Sequence, residues 1–421
     1  MPRRFFVVLV AGGAALATPL AAQAPLAARI AQAPDGEVRL QYDARPGACG
    51  DGRGVVGFRR ALFADTFESY GTWSDARCVP GPVRIALTVE GGKPVTVRTQ
   101  IGGTWREAAG RVTDLGTVSS RDAAAWFLAH VPALEGSGRK GRILLPAVLA
   151  ADAVVLPELL AIARDSARRT DTRRQALQWM GQLGGASEVA PLTTFARTSP
   201  DVAGAALAAL AALEGGVGVP MLIELAHSGD ENVRHNAVFW LGQTGDARAL
   251  RALHAVIEDQ QETERVRRHA IFALSHGDGV ASSEFAYLRR IFSTLQDTRL
   301  KEAVLQGIAE DGAAGGSWLL ERVRDAREPT AVRRSALFWA GQRDATPTRD
   351  LVTAYHDLDE ANLREHAIFV LSQRDDDAAV DALMQIARAD PDRRMRGKAL
   401  FWLAQRKDDR VTKLISDLLA K

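Results

Sequence analysis

A segment of about 14 residues recurs along most of the chain, and this repetition limits the folds open to it. Six copies align without gaps and begin at residues 173, 233, 266, 332, 363 and 395, with weaker copies at 202 and 300. A ninth, degenerate copy is expected at residues 143–153. Each copy has a small residue at its centre, here called the anchor, and the anchors are spaced 30–34 residues apart: Ala176, Ala206, Ala237, Ala270, Val304, Ala336, Ala367 and Ala399.

A second amphipathic segment lies between successive copies, for example at residues 219–228, 249–261 and 379–390. Both segments show the apolar period of 3.6 residues that is typical of an α-helix. The unit is therefore predicted to be two helices of about 12 residues, which must stack on neighbouring units to bury their apolar faces. The fold class follows: mainly α, an α-α superhelix of about 8–9 two-helix repeats, preceded by a small β-rich domain.

One copy, GDENVRHNAVFWLGQTGD at residues 229–246, resembles HEAT repeats in their short bacterial form, which phycobilisome-lyase-type proteins also contain. That family shows a small acidic turn followed by V-R-x-x-A-x-x-x-L-G-x-x-G-D, and the other copies match mainly its V-R-x-x-A-x-x-x-L core. The resemblance covers about 290 of the 421 residues. It implies a HEAT-like solenoid over residues 118–421 whose second helices line a concave surface.

The first residues have the order of a secretory signal peptide: Arg3 and Arg4, an apolar stretch over residues 5–17, and small residues at 21, 22 and 24. We predict a signal peptide over residues 1–22, a linker over 23–36, and a periplasmic or extracellular protein. An uncleaved anchor and twin-arginine export remain alternatives.

Removing the two arginines leaves 51 basic and 51 acidic residues, which gives no electrostatic reason to expect nucleic acid. No later segment is apolar enough to span a membrane.

Residues 37–117 contain short alternating segments and are predicted to form a small β-rich module. Glycines at 91 and 92 suit a hairpin between two of these segments. Cys49 and Cys78 are the only cysteines, and export would favour a disulfide between them, although two buried free thiols are the alternative. The module is also rich in aromatic residues: Phe58, Phe63, Phe67, Tyr70 and Trp73.

HEAT-type enzymes resembling deoxyhypusine hydroxylase bind two irons with His-Glu pairs, and this sequence departs from that pattern. His235 precedes Asn236, His269 precedes Ala270, and no His-Glu dipeptide occurs in the repeat region. The hydrolase, zincin, P-loop and EF-hand motifs are also missing from the sequence. We therefore predict a non-enzymatic protein with no metal and no cofactor.

The copies share an unexpected aromatic position two residues after the anchor, on the helix side that should face solvent. We call these five phenylalanines the aromatic strip: Phe239, Phe272, Phe338, Phe369 and Phe401. Glutamines follow four residues later at Gln182, Gln243, Gln342, Gln373 and Gln405. Basic groups lie just before the anchor at His235, His269, His366 and Lys398. Tryptophans three residues after the anchor are expected to fill the core: Trp179, Trp240, Trp339 and Trp402.

The aromatic strip, with its glutamines and basic groups, is predicted to bind a protein partner as an extended peptide. The alternative is that each Phe packs sideways between neighbouring second helices. The function expected is an exported scaffold for protein–protein binding. A lyase-like or assembly-factor enzyme and a structural envelope protein that binds through its N-terminal module remain alternatives, and the oligomeric state stays open.

Overall fold

The computed structural model describes residues 24–53, 56–58, 78–135, 143–276 and 281–419. The predicted signal peptide and the aromatic residues Phe63, Phe67, Tyr70 and Trp73 lie outside these ranges. The chain divides into two compact units, Met1–Val155 and Leu156–Lys421.

The first unit is built on a four-stranded sheet in the order β5-β4-β1-β6. Strand β1 runs antiparallel to β4 and parallel to β6, while β4 and β5 form the predicted hairpin around Gly91 and Gly92. Both glycines have positive φ, 57° and 73°, a conformation that glycine adopts without steric cost. A two-stranded sheet pairs β2 with β3. The strands are β1 Gly36–Tyr42, β2 Ala48–Gly50, β3 Val56–Phe58, β4 Val83–Glu90, β5 Lys93–Ile101 and β6 Val112–Thr117.

Short helices complete the first unit and extend it past the predicted boundary at residue 117. They are α1 Leu26–Ala31, α2 Ser120–Ala129, α3 Val131–Leu134 and α4 Leu145–Val148. Tyr42 is fully buried, and its hydroxyl donates to the carbonyl oxygen of Pro146 at 2.6 Å. Ala44 and Ala150 pair as an isolated antiparallel bridge. The chain to Val155 therefore packs with the sheet, and residues 143–153 form part of this unit instead of a ninth repeat.

The segment expected as a linker also differs from prediction, because it contains helix α1. Leu26 and Ile30 of this helix are buried, and Arg29 donates to the carbonyl oxygen of Leu115 at 2.7 Å. Because these two apolar side chains are buried, α1 packs within the first unit. The composition of the segment did not indicate this packing.

The predicted disulfide between Cys49 and Cys78 is present, with Cα atoms 5.1 Å apart. Both cysteines are buried, and Gly50 and Val79 beside them form an antiparallel bridge. The covalent link thus fastens β2 to the segment that precedes β4.

The second unit is the predicted stack of helix pairs, over its described residues. The first helices of the pairs are α5 Leu156–Arg164, α7 Val189–Thr198, α9 Val219–Ser228, α11 Ala247–Glu258, α13 Ser282–Phe292, α15 Gly312–Arg324, α17 Thr348–Asp357 and α19 Asp377–Ala389. The second helices are α6 Thr170–Leu183, α8 Ala203–Ala212, α10 Glu231–Gln243, α12 Glu264–Ser275, α14 Thr298–Ile308, α16 Thr330–Gly341, α18 Ala361–Ser372 and α20 Arg393–Leu403. Helix α21, Asp409–Leu419, follows the last pair.

The second helices pack side by side in chain order, each against its partner and its neighbours. All eight anchors are buried to 2% exposure or less, as their period requires. Several of these helices begin at an aspartate or threonine whose side chain accepts from the first turn, among them Asp230, Thr263 and Asp297. The mainly α superhelical architecture is confirmed.

Candidate interaction surface

Neighbouring second helices approach closely because small residues recur five positions after the anchor. A Cβ atom added to Gly341 would clash with the side chain of Val370 on the next second helix. Gly242 stands in the same relation to Ala273. We call the contact line between two neighbouring second helices a seam. In these seams, the residue five positions after the anchor of one helix packs against the residue three positions after the anchor of the next helix.

This seam explains where the tryptophans lie. Trp179 is buried as expected, but Trp240, Trp339 and Trp402 are only partly buried. The expectation is of core fillers between stacked repeats. Trp179 is buried in this way, whereas the other three occupy the equivalent position but keep part of the side chain exposed. Trp402 shows the consequence, since its ring lies 5.5 Å from that of Phe369 on the preceding second helix.

The aromatic strip is neither fully covered nor fully open. Phe239, Phe272, Phe338 and Phe369 are partly buried, whereas Phe401 on the last second helix is 59% exposed. Phe239 lies 5.9 Å from the ring of His269 across the next seam. Each inner phenylalanine thus keeps part of its ring accessible, and at Phe239 and Phe369 another part contacts the following helix.

The glutamines lie on the same face of the second helices as the aromatic strip, one helical turn further along the chain. Gln342, Gln373 and Gln405 are exposed, while Gln182 and Gln243 are partly buried. Gln405 donates to the carbonyl oxygen of Phe401 at 3.4 Å, and Gln373 donates to the hydroxyl of Ser372 at 3.2 Å. Among the described residues both amides make only local contacts of this kind, so their remaining donors and acceptors can serve a ligand.

The histidines supply neutral aromatic surface, which corrects their expected basic character. His235 and His269 stack with ring centroids 3.9 Å apart. Burial, followed by the charges of His235 and Arg265, lowers the pKa of His269 to about 4. Burial also lowers the pKa of His235 and of His366. The imidazoles are therefore uncharged at neutral pH.

Among the exposed cations of the second helices, sequence reasoning identified only Lys398 and missed the arginines, which lie in the first two turns. The exposed cations of the second helices from α12 to α20 are Arg265, Arg268, Arg299, Arg334, Arg393, Arg394 and Lys398. Glu264 contacts Arg268 at 3.3 Å and Arg299 at 3.6 Å. Arg265, Arg299 and Arg394 lie five positions before their anchors, and Arg268 and Arg334 lie two positions before theirs. This recurrence is visible in the sequence and could have identified these arginines.

Within the ranges that the structure describes, no three His, Cys, Asp or Glu side chains come together in a way that could hold a metal ion. No helix among them has the length and apolar character needed to cross a bilayer.

The sequence profile of HEAT repeats matches residues 219–309, which cover α9 to α14. These residues are HEAT repeats. The units on either side share their anchors and their two-helix packing, so the second unit is a HEAT-like solenoid. A comparison with curated proteins gives no match.

Three solved structures resemble this chain in fold. Human deoxyhypusine hydroxylase in complex with glycerol is 20% identical over 56% of this chain and 96% of that chain, with a TM-score of 0.27. The CpcE–CpcF complex of phycocyanin lyase from Nostoc sp. PCC7120 is 18% identical over 55% and 92%, with a TM-score of 0.29. Kap95p, in a structure with RanGDP, is 13% identical over 70% and 42%, with a TM-score of 0.37. Likeness at this level does not bear on activity or partners.

Proposed function

We propose that this protein is an exported, non-enzymatic scaffold that binds a protein partner or an extended peptide along the concave surface lined by its HEAT-like second helices. The observation that carries the proposal is the aromatic strip. Five phenylalanines recur at one helix position, four keep part of their surface accessible, and Phe401 is 59% exposed. A recurring apolar surface of this kind is typical of an interaction site.

The spacing of the strip suits an extended chain. Packed helices lie roughly 8–10 Å apart, and an extended peptide advances about 3.3 Å per residue. Every third residue of such a peptide would therefore meet the phenylalanine of the next second helix, except at α14, where Gln306 stands at that position. The exposed amides of Gln342, Gln373 and Gln405 can both donate and accept, which suits the backbone of a peptide of any sequence.

Export is supported by the order of residues in the first 22 positions and by the buried disulfide of the first unit. N-terminal sequencing of the protein isolated from the producing cell tests it. The proposal requires a mature chain that begins at or near Gln23 in the periplasm or the medium. A cytoplasmic chain that still begins at Met1 would contradict it.

Binding is tested by capture from an envelope extract with the full-length chain as bait. Replacing Phe338, Phe369 and Phe401 with Ser should abolish capture of a defined partner band. The matched control replaces three exposed side chains of the first helices, Arg251→Ser, His356→Ser and Arg388→Ser, and should leave capture unchanged. Equal capture by the Phe variant and the wild-type chain would refute the proposed surface.

A further inference from the structure

We infer that the peptide held by the aromatic strip carries acidic side chains beside its apolar ones, an inference that rests on the proposed function. Its basis is the distribution of charge along the second helices from α12 to α20. At 100° per residue, positions five and two before the anchor and two and six after it fall within about 80° of one another. These positions therefore form one face of each helix. Along the chain direction, cations come first on this face, phenylalanines follow, and glutamines come last.

The cations of this face point into solvent and the acids lie beneath them. The side chains of Arg299 and Arg394 are 72% and 68% exposed, while Glu264 and Glu365, which pair with them, are 27% and 35% exposed. The same order holds for Lys398 at 48%, which lies 2.5 Å from Glu365. The acids thus hold the basic side chains in place but leave their outer donors free for an anion.

Charge counting over the same helices agrees with that geometry. The seven exposed cations of these helices face four acids, and one of the acids, Glu231, pairs with Arg265 at 3.2 Å. The cations are Arg265, Arg268, Arg299, Arg334, Arg393, Arg394 and Lys398, and the other acids are Glu264, Glu302 and Glu365. The histidines add no positive charge at neutral pH, since the pKa values of His269 and His366 are lowered by burial. The surplus is therefore made of fixed charges. Along the helix axis, Arg268 and Arg334 lie about 6 Å from the phenylalanine position, and the arginines five positions before the anchor lie about 10 Å from it.

An acidic peptide fits this face better than a nucleic acid does. The inner phenylalanines lie partly in the seams, as the 5.5 Å contact of Phe369 with Trp402 shows, so part of that ring is already covered by the neighbouring helix. A stacking platform for bases would need open ring faces on successive helices. The chain without its first 22 residues also has balanced charge.

The test uses three fluorescein-labelled peptides of about twelve residues, built from Phe-Glu-Ser, Phe-Gln-Ser and Phe-Lys-Ser triplets, with the full-length protein and fluorescence anisotropy. At about 50 mM NaCl the acidic peptide should bind at least about tenfold more tightly than the neutral one, and the lysine peptide more weakly than both. The difference should shrink at about 300 mM NaCl, because exposed charges are screened.

Matched variants locate the effect. Arg268→Gln with Arg334→Gln should weaken binding of the acidic peptide toward the affinity of the neutral one without changing the latter. Arg251→Gln with Arg388→Gln, on the first helices, should change neither. A neutral peptide that binds as tightly as the acidic one, yet is lost on Phe338→Ser, would refute the acidic partner and leave the proposed function standing. Binding of none of the peptides at about 1 mM, or tighter binding of a thymidine oligonucleotide, would also overturn the inference.

Discussion

Phe369 and Trp402, on adjacent second helices, lie with their ring centroids 5.5 Å apart and their planes inclined at 56°. The contact shows that a phenylalanine of the aromatic strip can also be part of the seam between repeats. Phe401, one helix further along, is 59% exposed. The strip therefore combines two roles, repeat stacking at its inner members and accessible apolar surface throughout.

The two roles predict unequal effects of one substitution on stability. Phe369→Ser should lower the free energy of unfolding by about 2 kcal/mol, since it removes a partly buried ring and leaves a gap beside Trp402. Phe401→Ser should change it by less than about 0.5 kcal/mol, as is usual for exposed positions. Urea titrations of the two variants measure the difference. Equal losses would mean that Phe401 is as firmly packed as Phe369.

The close approach of α16 and α18 predicts opposite effects at two helical glycines. Gly341→Ala should destabilise the solenoid by about 1–3 kcal/mol, because the new methyl group would overlap Val370. Gly397→Ala in α20 is the matched control, since a Cβ there meets no atom within 4 Å. It should stabilise the protein by about 0.5–1 kcal/mol through the better helix propensity of alanine. Thermal melts of both variants check the sign of each change.

The buried imidazole of His269 predicts a loss of stability in mild acid. Its pKa in the folded chain is about 4, below the ordinary value of 6.5, so the unfolded chain takes up the proton first as the pH falls. Its contribution is complete above pH 6.5 and declines from there toward pH 4. The facing groups are His235, Arg265 and Arg268, whose charges also oppose protonation.

The variant His269→Phe keeps a ring at this position and removes the titration. Urea titrations between pH 7 and pH 4.5 should show a shallower decline than in the wild-type protein. Identical slopes for wild type and His269→Phe would show that this imidazole is not held neutral by the fold.

The disulfide predicts a stability effect confined to the first unit, because Cys49 and Cys78 both belong to it. The bond closes a loop with a sequence separation of 29 residues, which corresponds to about 3–4 kcal/mol on the chain-entropy model. In a Cys49→Ala, Cys78→Ala variant, amide hydrogen exchange should accelerate in β4 and stay unchanged in α16. Uniform acceleration along both units would contradict this confinement.

The repeat could be predicted from sequence because a buried small residue every 30–34 positions leaves a periodic signal, as at Ala237 and Ala336. The disulfide could be predicted because Cys49 had only one possible partner. Features that depend on distant neighbours were missed. The burial of Tyr42 against Pro146 places residues 143–153 in the first unit, and no local pattern indicates that contact.

The candidate surface was predictable in its aromatic and amide positions and less so in its charges. Histidines such as His269 can carry a positive charge, but burial and the neighbouring His235 lower the pKa of His269 and keep its imidazole neutral. The exposed arginines of the first helical turns, for example Arg334, look like ordinary surface residues until their position on the face of the strip is known.

Site-specific photocrosslinking tests the central claim most directly, because it reports where a partner lies rather than whether binding survives a mutation. The photoreactive residue p-benzoylphenylalanine replaces either Gln373 or Thr353. Gln373 is exposed directly after the end of the second helix α18, on the face of the aromatic strip, and Thr353 is exposed on the first helix α17. Irradiation in an envelope extract should join a partner to the chain substituted at Gln373 and none to the chain substituted at Thr353. Crosslinks from Thr353 alone, or equal crosslinks from both, would contradict binding along the second helices.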